Sequence, residues 1–486
     1  MFPFEHIIEI DKDSKIPVYR QIAVSITHAI RNGHLKAGTH LPGTRELSKT
    51  LGIHRKTVIA AYEELNAQDW ILIVPRKQVT VSARIPALQP RKWNTADIPV
   101  PYKHDLKIPF RTISEVAVKD NIVSTAEIII DDGYPDIRLS PIDELLKTYR
   151  FYTSGRLHVK NTITGATQGT LQLREELVRY LSETRGLNIS TENLLITHGA
   201  QMSIFLAAQL LLDNQSTVII GVPNYAIANK AFEETGTHLT EVQVDEHGLN
   251  TDAIEAICKK KKVNAVYIIP HHHYPTTVTL SVERRMKLLE LSNQYSFVII
   301  EDDYDYDYHY SSSPYLPLAS ASHQGNIIYI GSFSKILGPS MRIGFMVAPE
   351  NFIRQCTALR KVIDVSGDGY MQNALAELIR AGELSRHLKK AKKLYHQRRD
   401  YLDQLLKNKL SAFVHYTLPS GGMAIWIKLH PGISVKGLSA TPRIWIKQIY
   451  TEENAFRFGF ASMNEKEMDA AVELLEKILQ KDSNYI

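Results

Sequence analysis

The sequence is short of cysteine: Cys258 and Cys356 are the only two in 486 residues, far apart and without paired spacing. That excludes a disulfide framework and a cysteine-based zinc module, and it suits a reducing compartment. Long hydrophobic runs are missing as well. No apolar stretch reaches the roughly 18 residues of a membrane span, and the opening MFPFEHIIEIDKDSK carries acids where a secretory signal needs a basic end and an apolar core. The expectation is a cytoplasmic protein with no membrane partner. A dominant charge is also lacking. The formal net charge of +5 is small for this length, so any contact with nucleic acid must come from how the charges are distributed. Internal repeats and low-complexity tracts are absent. What remains, 44% apolar and 22% charged residues, is the makeup of a folded globular protein, long enough to need at least two hydrophobic cores.

Three short helical patterns occupy the first stretch, QIAVSITHAIRNG, TRELSKTLG and HRKTVIAAYEELNAQ, separated by Gly and Pro. ILIVPRKQVTVS then reads as a hairpin around a Pro-Arg-Lys turn, which completes a winged helix-turn-helix order over residues 1–82. The next stretch, with five prolines between Ala83 and Pro109 and little periodicity, reads as a linker over 83–125. From 126 to 350, β-rich runs such as NLLIT, TVIIG, NAVYIIP, SFVIIED and NIIYIG alternate with helical segments, the rhythm of an α/β domain with a largely parallel, buried sheet. Residues 351–486 combine long amphipathic helices with the strand-like MAIWIKL and RIWIK, a smaller α+β lobe.

Four windows could carry chemistry. In NIIYIGSFSKILGPSMRIGFMVA, Lys335 lies in a Ser/Gly-rich turn between two apolar runs, with Ser332 before it and Arg342 seven residues after it. A lysine used for Schiff-base chemistry needs such a partly desolvated place, which frees a neutral amine; a surface lysine in a loop is the bland alternative. SFVIIEDDYDYDY ends an apolar strand in acids, and ligands bind at the carboxyl ends of parallel strands. Asp302 and Tyr304, two residues apart, face one side of such a strand and suit a pyridoxal ring, the acid at its nitrogen and the phenol at its hydroxyl oxygen. Asp303, Asp305 and Asp307 read as a solvated acidic loop. In LLITHGAQMSIFLAAQLLL a strand leads at once into Gly199, Ala200 and Gln201 at a helix start, an anion site able to hold a phosphate. Tyr225, after a Pro-Asn turn, either covers a planar ring or fills a core. The run His271–His273 gives no metal site, because neighbouring side chains in an extended segment point to alternating faces.

Together these windows resemble the fold-type I pyridoxal phosphate aminotransferases, and specifically their subfamily fused to a GntR-type winged helix, the MocR regulators. The resemblance covers nearly the whole chain. Ser332-Phe333-Ser334-Lys335 matches the family's lysine motif and Arg342 its phosphate arginine, while Glu301-Asp302-Asp303-Tyr304-Asp305 matches the segment that holds the ring. GYPD at Gly133–Asp136 and THGAQ at Thr197–Gln201 look like further family segments. In FRFGF, Arg457 matches the arginine that holds an effector or substrate carboxylate; a structural ion pair is the alternative. Thr277 departs from the pattern by standing where the family has glycine, and His273 stands where it has glutamine.

The segment from Pro17 to Leu65 is similar to the GntR winged helix almost throughout. In a helix-turn-helix the second helix meets base edges with its first residues, here Arg55, Lys56 and Thr57, and the resemblance assigns Arg45 to a phosphate or base contact. Residues 1–82 hold eleven Lys and Arg against eight Asp and Glu, gathered at these positions. The wing is atypical, with Arg76 and Lys77 in place of flexible glycines. The resemblance implies a head-to-tail homodimer that binds double-stranded promoter DNA and senses pyridoxal 5'-phosphate, or an amine or amino-acid effector, through Schiff-base exchange at Lys335. A working aminotransferase with an appended DNA-binding domain is the alternative.

Overall fold

The computed structural model describes residues 16–74, 78–83, 126–154, 166–310, 316–440 and 443–483, with isolated positions among residues 4–14 and 105–113. The chain divides into two compact units, 1–112 and 113–486. Among the described residues no helix is long and apolar enough to cross a membrane.

The first unit runs α1 (Val18–Arg31), β1 (His40–Leu41), α2 (Thr44–Thr50), α3 (Arg55–Ala67), β2 (Ile71–Val74) and β3 (Gln78–Val81). The apolar positions of the three helices recur at helical spacing and meet in one core of Ile22, Ile26, Leu47, Val58, Tyr62 and Leu65, closed by Ile71 and Val81 of the hairpin. The Tyr62 hydroxyl donates to the Pro42 carbonyl (2.8 Å), tying α3 to the segment that leads into α2. His54 caps α3: its Nδ1 accepts from the Lys56 amide (3.3 Å). The three strands form an antiparallel sheet in the order β1-β3-β2, so the expected winged helix-turn-helix order is the one observed. The wing tip, with Arg76 and Lys77, lies outside the described residues.

The second unit opens with a short strand, β4 (Ile128–Ile130), and then builds a sheet from β5 (Leu194–Thr197), β6 (Thr217–Val222), β7 (His238–Asp245), β8 (Gly248–Leu249), β9 (Ala265–Ile268), β10 (Val298–Asp303), β11 (Ile327–Ser332) and β12 (Gly344–Val347). Their order is β5-β12-β11-β10-β9-β6-β7-β8, with β12 and β8 antiparallel to the rest. The inner strands, such as β6, β9 and β11, read as nearly unbroken apolar runs because helices cover both faces, whereas β7 is polar and partly exposed. Alternate residues of β9 divide between those faces: Ala265 and Tyr267 pack with Ile204, Ile353 and Cys356, whereas Val266 and Ile268 pack with Ile254, Leu288 and Phe297. A second, antiparallel sheet of order β13-β14-β17-β16 is formed by β13 (Val414–Tyr416), β14 (Ala424–Leu429), β16 (Ile449–Tyr450) and β17 (Ala455–Gly459). Between them β15 (Ile444–Ile446) leaves that sheet and pairs in parallel with β4, so the start of the unit is joined to its C-terminal lobe. This is the fold-type I layout expected from the sequence.

Candidate functional site

The carboxyl ends of the parallel strands open on a cavity of about 330 Å³. Ser332, Ser334 and Lys335 reach it from the end of β11, Asp302 and Tyr304 from β10, and Asn224 and Tyr225 from just beyond β6. Ala200 and Gln201 open the helix that follows β5, and Arg342 precedes β12, whose antiparallel course brings it to the same edge.

The Lys335 Nζ donates 2.7 Å to the Gly133 carbonyl and lies 4.8 Å from the Tyr134 ring centre and 5.8 Å from that of Tyr304. Removal from water pushes its pKa below lysine's ordinary value, against the pull of the Asp132 carboxylate, which makes the neutral amine easier to form. Asp302 is 3% exposed. Its Oδ2 accepts from the Tyr267 hydroxyl (2.7 Å), while its Oδ1 is buried with no hydrogen-bond partner. Burial pushes this carboxyl up to about 7, opposed by the Tyr267 hydrogen bond and reinforced by Asp303 and Asp305. The Tyr304 hydroxyl donates to the His272 carbonyl (3.0 Å). Tyr225 meets Tyr274 edge-on with ring centres 5.6 Å apart, and burial pushes its phenol up to about 12.

At the other end of the cavity the Arg342 Nη2 donates to the His198 carbonyl (3.0 Å). Gly199 has φ +87° and ψ 169°, and a Cβ there would stand 2.9 Å from the Arg342 Nη2. Glycine is therefore what lets the guanidinium lie against the first turn of the helix that starts at Ala200, where free N–H groups and the helix dipole favour an anion. The Ser334 Oγ, on the same cavity lining, is buried without a partner, and the Ser332 Oγ accepts from the Ser334 amide (3.1 Å). Amine, unsatisfied acid and anion cradle thus share one cavity.

Several lining residues were not anticipated from the sequence: Asp132, Tyr134, Tyr274, Lys447 and Tyr450. Asp131 shapes the turn that carries the first two, its Oδ1 accepting from the amides of Gly133 (2.7 Å) and Tyr134 (2.9 Å). The Lys447 amide donates to the Ile130 carbonyl (3.0 Å), continuing the pairing of β15 with β4 and bringing the Lys447 Nζ to 3.5 Å from the Asp132 Oδ1. Only a pairing between the two ends of the unit assembles this wall, and no local pattern signals it.

Comparison with known proteins gives the context. The model of the family "Aminotransferase class I and II" matches residues 156–475, and that of "Bacterial regulatory proteins, gntR family" matches residues 18–81. The chain belongs to the aminotransferase class I and II family. With its gntR-family domain it is a GntR/MocR-type transcriptional regulator carrying an aminotransferase-like domain. The uncharacterized HTH-type transcriptional regulator YdfD of Bacillus subtilis is 29% identical over 93% of this chain and 94% of its own. The probable rhizopine catabolism regulatory protein MocR of Rhizobium meliloti is 26% identical over 86% of this chain and 82% of its own. Among solved structures, a multiple substrate aminotransferase of Thermococcus profundus superposes with a TM-score of 0.70 at 26% identity, over 77% of this chain and 97% of its own. Kynurenine aminotransferase of Pyrococcus horikoshii, in complex with PMP, does so with 0.66 at 26% identity, over 74% and 92%.

In this regulator the acidic run behind Asp302 corrects the expectation of a solvated loop. Asp303 and Asp305 are buried, Asp303 beside His271 (3.4 Å) and the Tyr329 hydroxyl (2.6 Å), Asp305 beside the His272 Nδ1 (3.0 Å), and Asp307 accepts from Arg185 (2.8 Å). Partners from other elements draw these acids inside, and a single strand's sequence does not display them. Thr277 has φ +62°, in the left-handed region that favours glycine, so its β-branched side chain carries strain of order 1–3 kcal/mol. Arg457 is 2% exposed and lies behind the wall: its Nε donates to the Asp132 carbonyl (3.0 Å) and its Nη1 to that of Pro275 (2.9 Å). In the first unit Arg45 on α2 and Arg55 and Lys56 at the start of α3 are exposed, Thr57 is half-buried, and the Arg55 Nε donates to the Thr44 hydroxyl (3.2 Å).

Proposed function

We propose that the aminotransferase-like unit holds pyridoxal 5'-phosphate at Lys335 to sense an amine or amino acid, and that the winged helix-turn-helix reports the result on promoter DNA. The observation that carries this reading is the buried Asp302 Oδ1, left without a donor in a cavity that also holds a depressed-pKa lysine and an anion cradle. A protonated pyridine nitrogen is a donor that satisfies it. Ser332, Arg342 and the backbone at Gly199, Ala200 and Gln201 would hold the phosphate, Tyr304 the ring oxygen, and Tyr225 would cover the ring. When bound, the cofactor supplies an aldehyde that condenses reversibly with primary amines. Lys335 gives up its ammonium proton to become nucleophilic, and Asp302 keeps the ring nitrogen protonated.

The output side rests on residues 1–82, with Arg45, Arg55, Lys56 and Thr57, and with Arg76 and Lys77 of the wing, as contacts to double-stranded DNA. Residues 83–125 serve as linker, 126–350 and 351–486 as the larger and smaller parts of the sensor, and the protein acts in the cytoplasm as a head-to-tail homodimer, as its resemblance to the MocR regulators implies. A ligand moves the DNA-reading units only if it binds two conformations of the sensor unequally. The convergence of Lys335, Asp302, Tyr304 and Arg342 on one cavity also favours a second reading, turnover as a transaminase. Adding pyridoxal phosphate to the cofactor-stripped protein tests the shared premise. A visible absorbance band that Lys335→Ala abolishes is expected, and an unaltered band in that variant would refute the role of Lys335. Conversion of amino donors over many cycles without DNA would favour the second reading.

A further inference from the structure

On one wall of the cavity three polar groups keep hydrogen-bonding capacity unused. Lys447 lines the cavity with a side chain 12% exposed. Among the described residues the polar contacts of its ammonium group are the Asp132 Oδ1 at 3.5 Å, an ion pair without a hydrogen bond, and the face of Tyr134, whose ring centre lies 3.7 Å away. The ammonium donors are therefore uncommitted. Asp132 is held on one oxygen by the Tyr274 hydroxyl (3.0 Å), and its Oδ1 is buried with no donor. Burial pushes this carboxyl up, and Lys335, Lys447 and Arg457 together hold it below the usual carboxylate range, so it faces the cavity ionised. The Tyr450 hydroxyl, on β16 near that of Tyr274, is buried on the same lining without a hydrogen-bond partner. Buried polar groups are paired as a rule, so the chemistry of these three describes the ligand group that pairs them.

Lys447 and Asp132 set an unused donor and an unused acceptor side by side. Arg457 lies behind them: its Nε and Nη1 donate to the carbonyls of Asp132 and Pro275, and its Nη2 is left beside Gly133, where a Cβ would stand 3.3 Å from it. That nitrogen is the donor able to meet an α-carboxylate, which leaves Lys447 and Asp132 to the other end of an effector. We infer that the effector is an amino acid with an uncharged carboxamide in its side chain, and that Lys447, Asp132 and Tyr450 read that amide. The amide carbonyl accepts from the Lys447 ammonium, its NH₂ donates to the Asp132 Oδ1, and the Tyr450 hydroxyl serves either. An acidic side chain in this place is repelled by Asp132 and an ammonium by Lys447, while an apolar one leaves all three groups unpaired. The Lys335 Nζ and the Lys447 Nζ approach the same Tyr134 ring, at 4.8 Å and 3.7 Å from its centre, so a short side chain spans the distance between them.

This inference rests on the cofactor reading given above and narrows it to a ligand class. The full-length, pyridoxal-phosphate-loaded protein is titrated in a calorimeter with glutamine, methionine, glutamate and lysine, whose side chains are similar in reach and differ in the distal group. Glutamine is expected to bind about tenfold or more tightly than each of the others. Lys447→Met leaves Asp132 unbalanced and should move the preference to lysine, whereas Asp132→Asn leaves Lys447 unbalanced and should move it to glutamate. Tyr450→Phe, which removes a single oxygen, should narrow the lead of glutamine over methionine severalfold. A wild type that binds glutamine no better than methionine overturns the inference, as does an order of affinities that stays the same in all three variants. Methoxyamine, a small amine that condenses with the aldehyde of bound pyridoxal phosphate, separates the two readings. If it bleaches the visible band while none of the four amino acids binds, the inference fails and the cofactor reading stands. Absence of any visible band in the wild type overturns the cofactor reading itself, and this inference with it.

Discussion

Replacing Gly199 by alanine attacks the anion cradle at its tightest point. The backbone there, φ +87° and ψ 169°, lies in a region that essentially only glycine occupies, so an L side chain costs about 1–3 kcal/mol before any contact is counted. The new methyl would stand 2.9 Å from the Arg342 Nη2 and 3.2 Å from its Cζ, too close for both to stay. The guanidinium is the flexible partner and gives way, losing its bond to the His198 carbonyl and its station beside the first turn of the helix at Ala200. A charge-assisted hydrogen bond contributes about 1.5–3 kcal/mol, so affinity for pyridoxal phosphate should fall roughly 10- to 150-fold while the unit is destabilised by the backbone term. Absorbance titration with the cofactor reads the first effect and urea denaturation of the cofactor-free protein the second. Wild-type affinity together with wild-type stability would refute the placing of glycine and arginine that underlies the cradle.

Two further substitutions probe the acid and the DNA-reading helix. Because burial pushes Asp302 up to about 7, the folded chain retains a proton that the unfolded chain has released from about pH 4 upward, and the group costs stability increasingly as pH rises through that window. Cofactor-free Asp302→Asn should therefore be more stable than wild type at pH 8, by a few kcal/mol at most, with the difference vanishing toward pH 4; a difference independent of pH would contradict the assignment. Arg55→Ala should weaken binding to a specific site by about 1–3 kcal/mol if Arg55 meets a base edge, and an equal loss on random DNA would reduce it to a phosphate contact.

Where the chain folds by local rules, its sequence was readable. The runs NLLIT, TVIIG and SFVIIED became strands because β-branched residues in short unbroken apolar stretches fit a sheet covered on both faces. Asp302, Tyr304 and Lys335 lay at the expected strand ends because a parallel sheet gathers such ends along one edge. RIWIK was also recognisable as a strand, but its pairing with β4 was not, and with that pairing went Lys447, Asp132 and Tyr134. The acids at 303, 305 and 307 follow the same logic: charge in a row looks solvated in sequence, and only His271, His272 and Arg185 from other elements draw it inward. Thr277 is a different case: its residue type gives no sign of a left-handed backbone, yet it adopts φ +62°.

If an amine-binding cavity controls the DNA-binding unit, binding to the regulator's own upstream DNA tests that link most directly. Loaded with pyridoxal phosphate, the full chain is titrated onto this DNA while a panel of amino acids and simple amines is added one at a time. At least one of them should change the affinity by about fivefold or more in the wild type, the scale of ordinary coupling between sites, and none should do so in Lys335→Ala. An affinity that no amine alters, or that alters equally in Lys335→Ala, would contradict the account.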